Sequence, residues 1–348
     1  ARDARAEVII AGRNLGRARR LAGELERTYP HACVRAIELD LEDPNFVRKL
    51  GSAAPIVVVH TAGPFQGQDY AVAEACIACR SHYVDLADSR RFVADFHALD
   101  REARRRDVLL VTGASTLPGL SSAVVDSLTE DMQQIDSIRT VILPGNRSMP
   151  GAATIAAVMQ YCGRPVKTLE NGTWVSRTGW EDARRVLIDG QKHSAAVCDV
   201  PDLELFPAHY DGIRNATFHA GPEMRWQHEM IRVMAKLVRR GWIESWSPYA
   251  RMLQRANWFT SLIGSGKGYM QVEVQGEDAS QRPMARTWNL IAKHNHGPEI
   301  PCMPARILAK RLIAGDIRMR GARPCLSLIN LSDFASEAAE LDIAWTVN

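Results

Sequence analysis

Three short segments carry residue types suited to holding a nucleotide, and each follows an apolar, β-branched run. Gly12-Arg13-Asn14 closes Val8–Ala11, Asp40-Leu41-Glu42-Asp43 closes Val34–Leu39, and Thr61-Ala62-Gly63-Pro64-Phe65 closes Ile56–His60. In open α/β sheets, ligands sit outside the carboxyl ends of parallel strands. A guanidinium just past such a strand matches a phosphate with forked hydrogen bonds, where a carboxylate would repel it. Arg13, flanked by Gly12 and Asn14, is therefore expected to hold the 2′-phosphate of NADP. Asp40 and Leu41 are expected to flank the adenine. Thr61, Ala62, Gly63, Pro64 and Phe65 are expected beneath the pyrophosphate and ribose, with Gly63 permitting close backbone approach.

Hydride chemistry also asks for an acid near the acceptor. Asp85 and Asp88, at and just beyond the end of the strand His82–Leu86, are the catalytic candidates. The plainer reading is that Asp85 braces a loop and that Asp88 with Ser89 caps a helix. Tyr83, and the tight turn of Ser115, Pro118 and Gly119 ahead of a helix, are the candidate substrate contacts. His294 and His296 lack a third ligand at recognisable spacing, so no metal is expected. His60 ends an apolar strand and reads as a satisfied core histidine. The seven scattered cysteines, including a lone Cys76-x-x-Cys79 in a helical pattern, read as reduced thiols of a cytoplasmic protein.

These residues need elements to position them. Over the first 145 residues strands and helices alternate. The strands are Val8–Ala11, Val34–Leu39, Ile56–His60, His82–Leu86, Val108–Thr112 and Ile138–Leu143. The helices are Leu15–Tyr29 (with Leu21 and Leu25 inward), Pro44–Gly51, Gln68–Arg80, one from Ser89 to Arg106, and Leu120–Thr129. Such alternation predicts an α/β fold with a doubly wound parallel sheet, and the unbroken Ile56–His60 run predicts a strand covered on both faces. From Gly145 to Phe218 little periodicity is legible. Trp226, Met230, Val233, Met234, Leu237 and Val238 then form a helical stripe beside Arg232, Lys236, Arg239 and Arg240. It is expected to pack on the substrate domain or on the partner of a homodimer. Alternatively, with Trp242, Trp246 and Trp258, segment 226–246 makes peripheral membrane contact or covers an apolar pocket. A helix over Pro248–Ile263, a hairpin of Gly268–Gln275 and Ala285–His294, a helix Pro304–Ala314 closed by Gly315, and a Ser332-capped helix over Asp333–Leu341 complete the reading. A charge of +3 over 348 residues gives no reason to expect nucleic acid, and no run of 18 apolar residues predicts a membrane span.

The segments Thr61–Tyr70, Ser81–Asp88 and Thr112–Ser122 resemble the NADP-binding domain of the saccharopine dehydrogenase-like oxidoreductases. Cys198–Pro207 and Gly321–Leu326 resemble the uncharacterised bacterial members of that family. The resemblance implies a Rossmann-type domain over 1–125, an α+β substrate and dimerisation domain over 126–320, and a segment 321–348 returning to the first. It implies hydride transfer with NADP(H) to or from a C=N, C=O or activated C=C bond of a small molecule. A non-catalytic nucleotide sensor and a membrane-surface enoyl or lipid reductase are the other readings. In the family a first strand with a G-x-G-x-x-G turn precedes the Val8 strand, at the centre of the sheet. The chain is therefore expected to begin 20–30 residues earlier in nature, about the span of a βα unit. The competing registration makes Gly12–Gly16 the phosphate turn and Asp40 the ribose ligand.

Overall fold

The computed structural model describes residues 6–148, 150–261 and 264–348, without the side chains of 257–261. The first strand β1 (Glu7–Gly12) leads into helix α1 (Leu15–Thr28), and β2 (Cys33–Glu38) into α2 (Phe46–Ala53). Asn14 caps α1 by accepting from Arg17 N at 2.9 Å. Its inner face is the small pair Ala18 and Ala22, whereas Leu21 is exposed, against expectation. Then come β3 (Val57–His60), α3 (Ala71–Cys79) and β4 (His82–Asp85). The long helix expected from Ser89 is instead α4 (Arg90–Ala94), a 3-10 turn and α5 (Asp100–Arg105), and Ser89 makes no side-chain cap. The break lets Phe92 and Phe96 both reach the core beside Tyr70 and Tyr83. Strand β5 (Leu109–Thr112), a π turn and α6 (Ser121–Leu128) follow.

These strands form two sheets. β1 and β2 pair in parallel. β3, β4 and β5 pair in parallel, and β14 (Gly321–Pro324) adds beyond β5. Among the described residues neither β1 nor β3 has a second neighbour. The competing registration makes β2 and β3 neighbouring strands of one half-sheet, whereas among the described residues β3 pairs with β4 and not with β2. Strand β3 is not the strand covered on both faces that its sequence predicts: Val59 is exposed and Val57 and Val58 are half-buried. Helix α2 joins the β1–β2 unit to the rest by laying Phe46 and Leu50 against α3.

The chain continues through β6 (Gln134–Leu143) and α7 (Ala152–Gln160). The stretch without legible periodicity holds β7 (Pro165–Glu170), β8 (Thr173–Thr178), β9 (Ala183–Ile188), β10 (Gln191–Val197), α8 (Asp202–His209) and β11 (Asn215–Ala220). Helices α9 (Arg225–Arg239) and α10 (Ala250–Ser261) precede the antiparallel hairpin β12 (Gly268–Glu277) and β13 (Pro283–Ala292). Helix α11 (Met303–Ala314) ends at Gly315, whose φ of +76° suits a residue without a Cβ. After β14 come α12 (Leu331–Ala338) and β15 (Ile343–Val347). Asn330, not Ser332, caps α12, in a box with Asp333.

The second unit is one nine-stranded sheet, ordered β15-β13-β12-β6-β11-β10-β9, with β7 on β11 and β8 on β7. The even-numbered residues Ile138, Met270, Val272, Val274, Trp288 and Leu290 share one face, and α6, α8 and α12 pack on it in the largest core. The last segment divides: β14 joins the first unit and β15 the second sheet.

Candidate functional site

The loops after β3, β4 and β5 open on one edge. After β3, Gln68 Nε2 donates to the carbonyls of Ala62 and Pro64, both at 2.7 Å, which holds the Thr61–Phe65 loop in one shape. The Phe65 ring is buried against His60 and Phe92, so Phe65 offers a ligand only backbone. Thr61, Ala62, Gly63 and Pro64 stay exposed. After β1, Arg13 is exposed and has no ion-pair partner among the described residues, so its guanidinium is free for an anion. Beyond β2, Asp40 accepts from Glu42 N at 3.3 Å and Leu41 is exposed. The Gly12–Asn14, Asp40–Leu41 and Thr61–Pro64 segments thus offer a free cation, an exposed apolar side chain and open backbone to a dinucleotide. No described turn supplies a Gly-rich phosphate cradle.

The two carboxylates at and beyond the end of β4 differ. Asp85 Oδ1 accepts from Gly113 N at 2.7 Å, Ala87 N at 2.9 Å and Thr112 Oγ1 at 3.0 Å. It is fully buried, and burial pushes its carboxyl up to about 6 against the pull of these donors. It ties the exit of β4 to that of β5. Asp88 lines a cavity and accepts from Gln66 Nε2 at 3.0 Å. Burial raises its carboxyl above the usual range, which favours the proton-carrying form.

Two substrate candidates need correction. Tyr83 is buried, stacked on Phe96, with its hydroxyl 3.0 Å from His60 Nδ1, so it faces the core. Pro118 and Gly119 are buried, Pro118 against Gly113 and Gly119 against Pro304 and Cys325. Ser115 is half-buried, and of that turn only Leu117 lines the cavity. Burial pushes His60 down to about 4, which keeps it neutral at physiological pH. His294 and His296 both reach Asp342, the first through its carboxylate at 2.5 Å and the second by accepting from its backbone N–H at 2.7 Å.

The cavity has a volume of about 560 Å³ and lies over the even face of the large sheet. Its floor includes Ile142, Phe218 and Ala220, and its roof is α7, α9 and α10. Most of its wall is apolar, as with Ile155, Met159, Ile231 and Met234. One polar group of the wall faces the β3 and β4 loops: Gln66, Asp88, Tyr161 and Asp199. A second, Asn146, Glu223 and Gln227, lies beside Trp226. Burial pushes the Tyr161 phenol up to about 12 and raises Asp199 against the pull of Arg90. Arg90, from the first residue of α4, reaches across to the second unit. It donates to Glu204 Oε2 at 2.7 and 3.0 Å, to Asp199 Oδ1 at 3.1 Å and to the Lys167 carbonyl at 2.8 Å. Sequence reasoning assigned no role to Gln66, Tyr161, Asp199 or Arg90. The available signal was the Cys198-Asp199-Val200-Pro201 run, an acid held between apolar residues at a strand end.

No family model and no curated protein matches the sequence. Among solved structures, apo saccharopine dehydrogenase (L-Glu forming) from Saccharomyces cerevisiae superposes with a TM-score of 0.68 at 12% identity, covering 98% of this chain and 94% of that one. A mutant meso-DAPDH from Clostridium tetani gives a TM-score of 0.44 at 12% identity, covering 96% and 98%. The likeness to the first is one of fold: this chain has a saccharopine dehydrogenase-like α/β architecture with a second sheet unit.

Proposed function

We propose that the chain is an NADP(H)-dependent oxidoreductase that acts on a C=N, C=O or activated C=C bond of a bulky, largely apolar small molecule. The observation that carries this reading is the cavity into whose wall the loops at the nucleotide edge of the parallel sheet bring Gln66 and Asp88. Its fold is that of an NAD(P)-linked enzyme, and the saccharopine dehydrogenase likeness supports the class. Arg13 selects the phosphorylated dinucleotide, and the Thr61–Pro64 backbone lies under it. The nicotinamide, when bound, supplies the hydride.

The chain's own groups do the rest. Apolar walls exclude water and hold the body of the substrate, so the reacting bond lies beside Gln66 and Asp88. Asp88, whose carboxyl burial raises and Gln66 orients, donates a proton to the substrate heteroatom or carbon. Arg90 fixes Asp199 and so the distance between the two units there. The test is NADPH oxidation by the chain against a panel of apolar imines, ketones and enoyl thioesters. Turnover of one class, lost in Asp88→Asn, is the expected result. NADPH binding without turnover on the whole panel would leave a nucleotide sensor in place of an enzyme.

A further inference from the structure

We infer that the α9–α10 face docks on an anionic lipid surface and that the cavity beneath draws from it a substrate with a long apolar body. The inference rests on reading the cavity as the substrate site. Helix α9 carries three rows at helical spacing. Met234, Ala235 and Val238 face inward and are buried. Trp226, Met230 and Val233 form a second row, 48%, 47% and 54% exposed. Arg225, Arg232, Lys236 and Arg239 form the third. A helix that needed only to cover a core has no use for the second row. An outward apolar row containing Trp, flanked by a basic row, is the pattern of a helix lying in a membrane interface.

The connection to α10 extends the surface. Trp246 donates its indole N–H to the Met234 carbonyl at 3.0 Å, which folds segment 241–249 back along α9. Trp242 is 71% exposed, with Arg240 at 5.9 Å from its ring, and Tyr249 and Met252 are exposed as well. The Trp258 side chain lies outside the described residues. Charge supports the same partner. Residues 224–255 hold seven Lys and Arg against two Glu, a net of +5 in a chain whose total is +3. Arg225, Lys236, Arg251 and Arg255 have no acidic partner among the described residues. Anionic headgroups complement such a cluster, and the apolar row enters the acyl boundary.

The cavity opens on this face. Trp226 and Met230 line it and are also about half exposed, which places them at its mouth. Leu253 and Ala256 of α10 line it from the other side. Its volume of about 560 Å³ suits one elongated organic molecule. Asp88 and Gln66 lie in its wall at the β3 and β4 loops, while Asn146, Glu223 and Gln227 form a second polar group beside Trp226, tied to one another by hydrogen bonds. A substrate with an apolar body and one reducible polar end leaves a bilayer through this mouth without passing through water.

The test is co-sedimentation of the full chain with vesicles of phosphatidylcholine, with and without phosphatidylglycerol, alongside binding of a fluorescent long-chain fatty acid. Expected are binding to the anionic vesicles that weakens with salt, and a loss of about tenfold or more in Val233→Glu/Trp242→Glu. That variant is expected to retain its melting temperature and its fatty-acid binding in solution. Ala157→Trp and the milder Val158→Phe, both inside the cavity, are expected to lose fatty-acid binding and keep vesicle binding. Equal binding to both vesicle types, no binding to either, or a dimer in sedimentation that Val233→Glu dissociates would each overturn the inference. Vesicle and fatty-acid binding without NADPH turnover would instead sink the hydride-transfer reading and leave this one standing.

Discussion

Asp85 ends β4 and Asp88 lies three residues on, in the loop that follows, and their surroundings give them different work. The three donors on one Asp85 oxygen are a structural brace, whereas Asp88 has a single donor and faces the cavity. Asp88→Asn is expected to lower kcat by about 10²–10⁴ and to remove the alkaline limb of the pH–rate profile, because the carboxyl serves in its protonated form. Arg13→Ala is expected to weaken NADPH binding by about tenfold or more, the worth of a charge-assisted contact, and to leave NADH binding within about twofold. Equal losses in a fluorescence titration would refute the 2′-phosphate assignment. Asp202, buried at the start of α8, shows the thermodynamic side of burial, which pushes its carboxyl up to about 7. A folded value above the unfolded one contributes stability at low pH that is lost as pH rises through the folded value. Asp202→Asn should therefore raise Tm at about pH 8, where the native carboxyl is ionised, and change it little at about pH 4.

Helix and strand types were legible wherever one face of an element is buried, since burial writes its period into the sequence. The strands β1 to β6 and the hairpin β12–β13 follow from apolar runs, and α9 from its stripe. Strands β8 and β9 lie at the rim of the large sheet; β8 exposes residues on both faces, and β9 puts Arg184 on its inner face, so Ala183-Arg184-Arg185-Val186 carries no alternation of residue type. The candidate site was legible in its nucleotide half, which is built from strand ends close in sequence. Its substrate half joins Gln66, Asp88, Tyr161 and Asp199, and only the tertiary fold brings these together. Arg90 is the hinge of that juxtaposition, one guanidinium bonded to α8, the Asp199 loop and β7 while Trp174 lies over it at 5.6 Å. Arg90→Ala leaves two carboxylates without their cation. The loss is expected at about 3 kcal/mol, the low end for a buried pair because the Glu204 side chain is 51% exposed. Arg90→Lys should recover only part of it, since an ammonium cannot span the three acceptors. Urea unfolding of the two variants checks both statements.

At the scale of the whole molecule, cohesion is uneven. The nine-stranded sheet and its helices share one continuous core, and every residue of β5 is buried. No residue of β1 is buried, and β1–β2 meets the other parallel sheet through α2 on α3 rather than through backbone hydrogen bonds. Local opening of a unit costs only the contacts that it alone makes. The β1–β2 unit should therefore open well below global unfolding, and its amides should exchange hydrogen orders of magnitude faster than those of Leu109–Thr112. This unit also carries Arg13, Asp40 and Leu41, so a dinucleotide that bridges it to the Thr61–Pro64 loop would close that opening. NADPH at about 100 times its Kd should then slow exchange in β1 and β2 by up to about 100-fold, and change β5 little. Mass-resolved exchange with and without NADPH reads this directly. Equal protection of β1 and β5 in the free protein would mean that the two parallel sheets open as one, and protection by NADPH confined to the large sheet would place the nucleotide elsewhere.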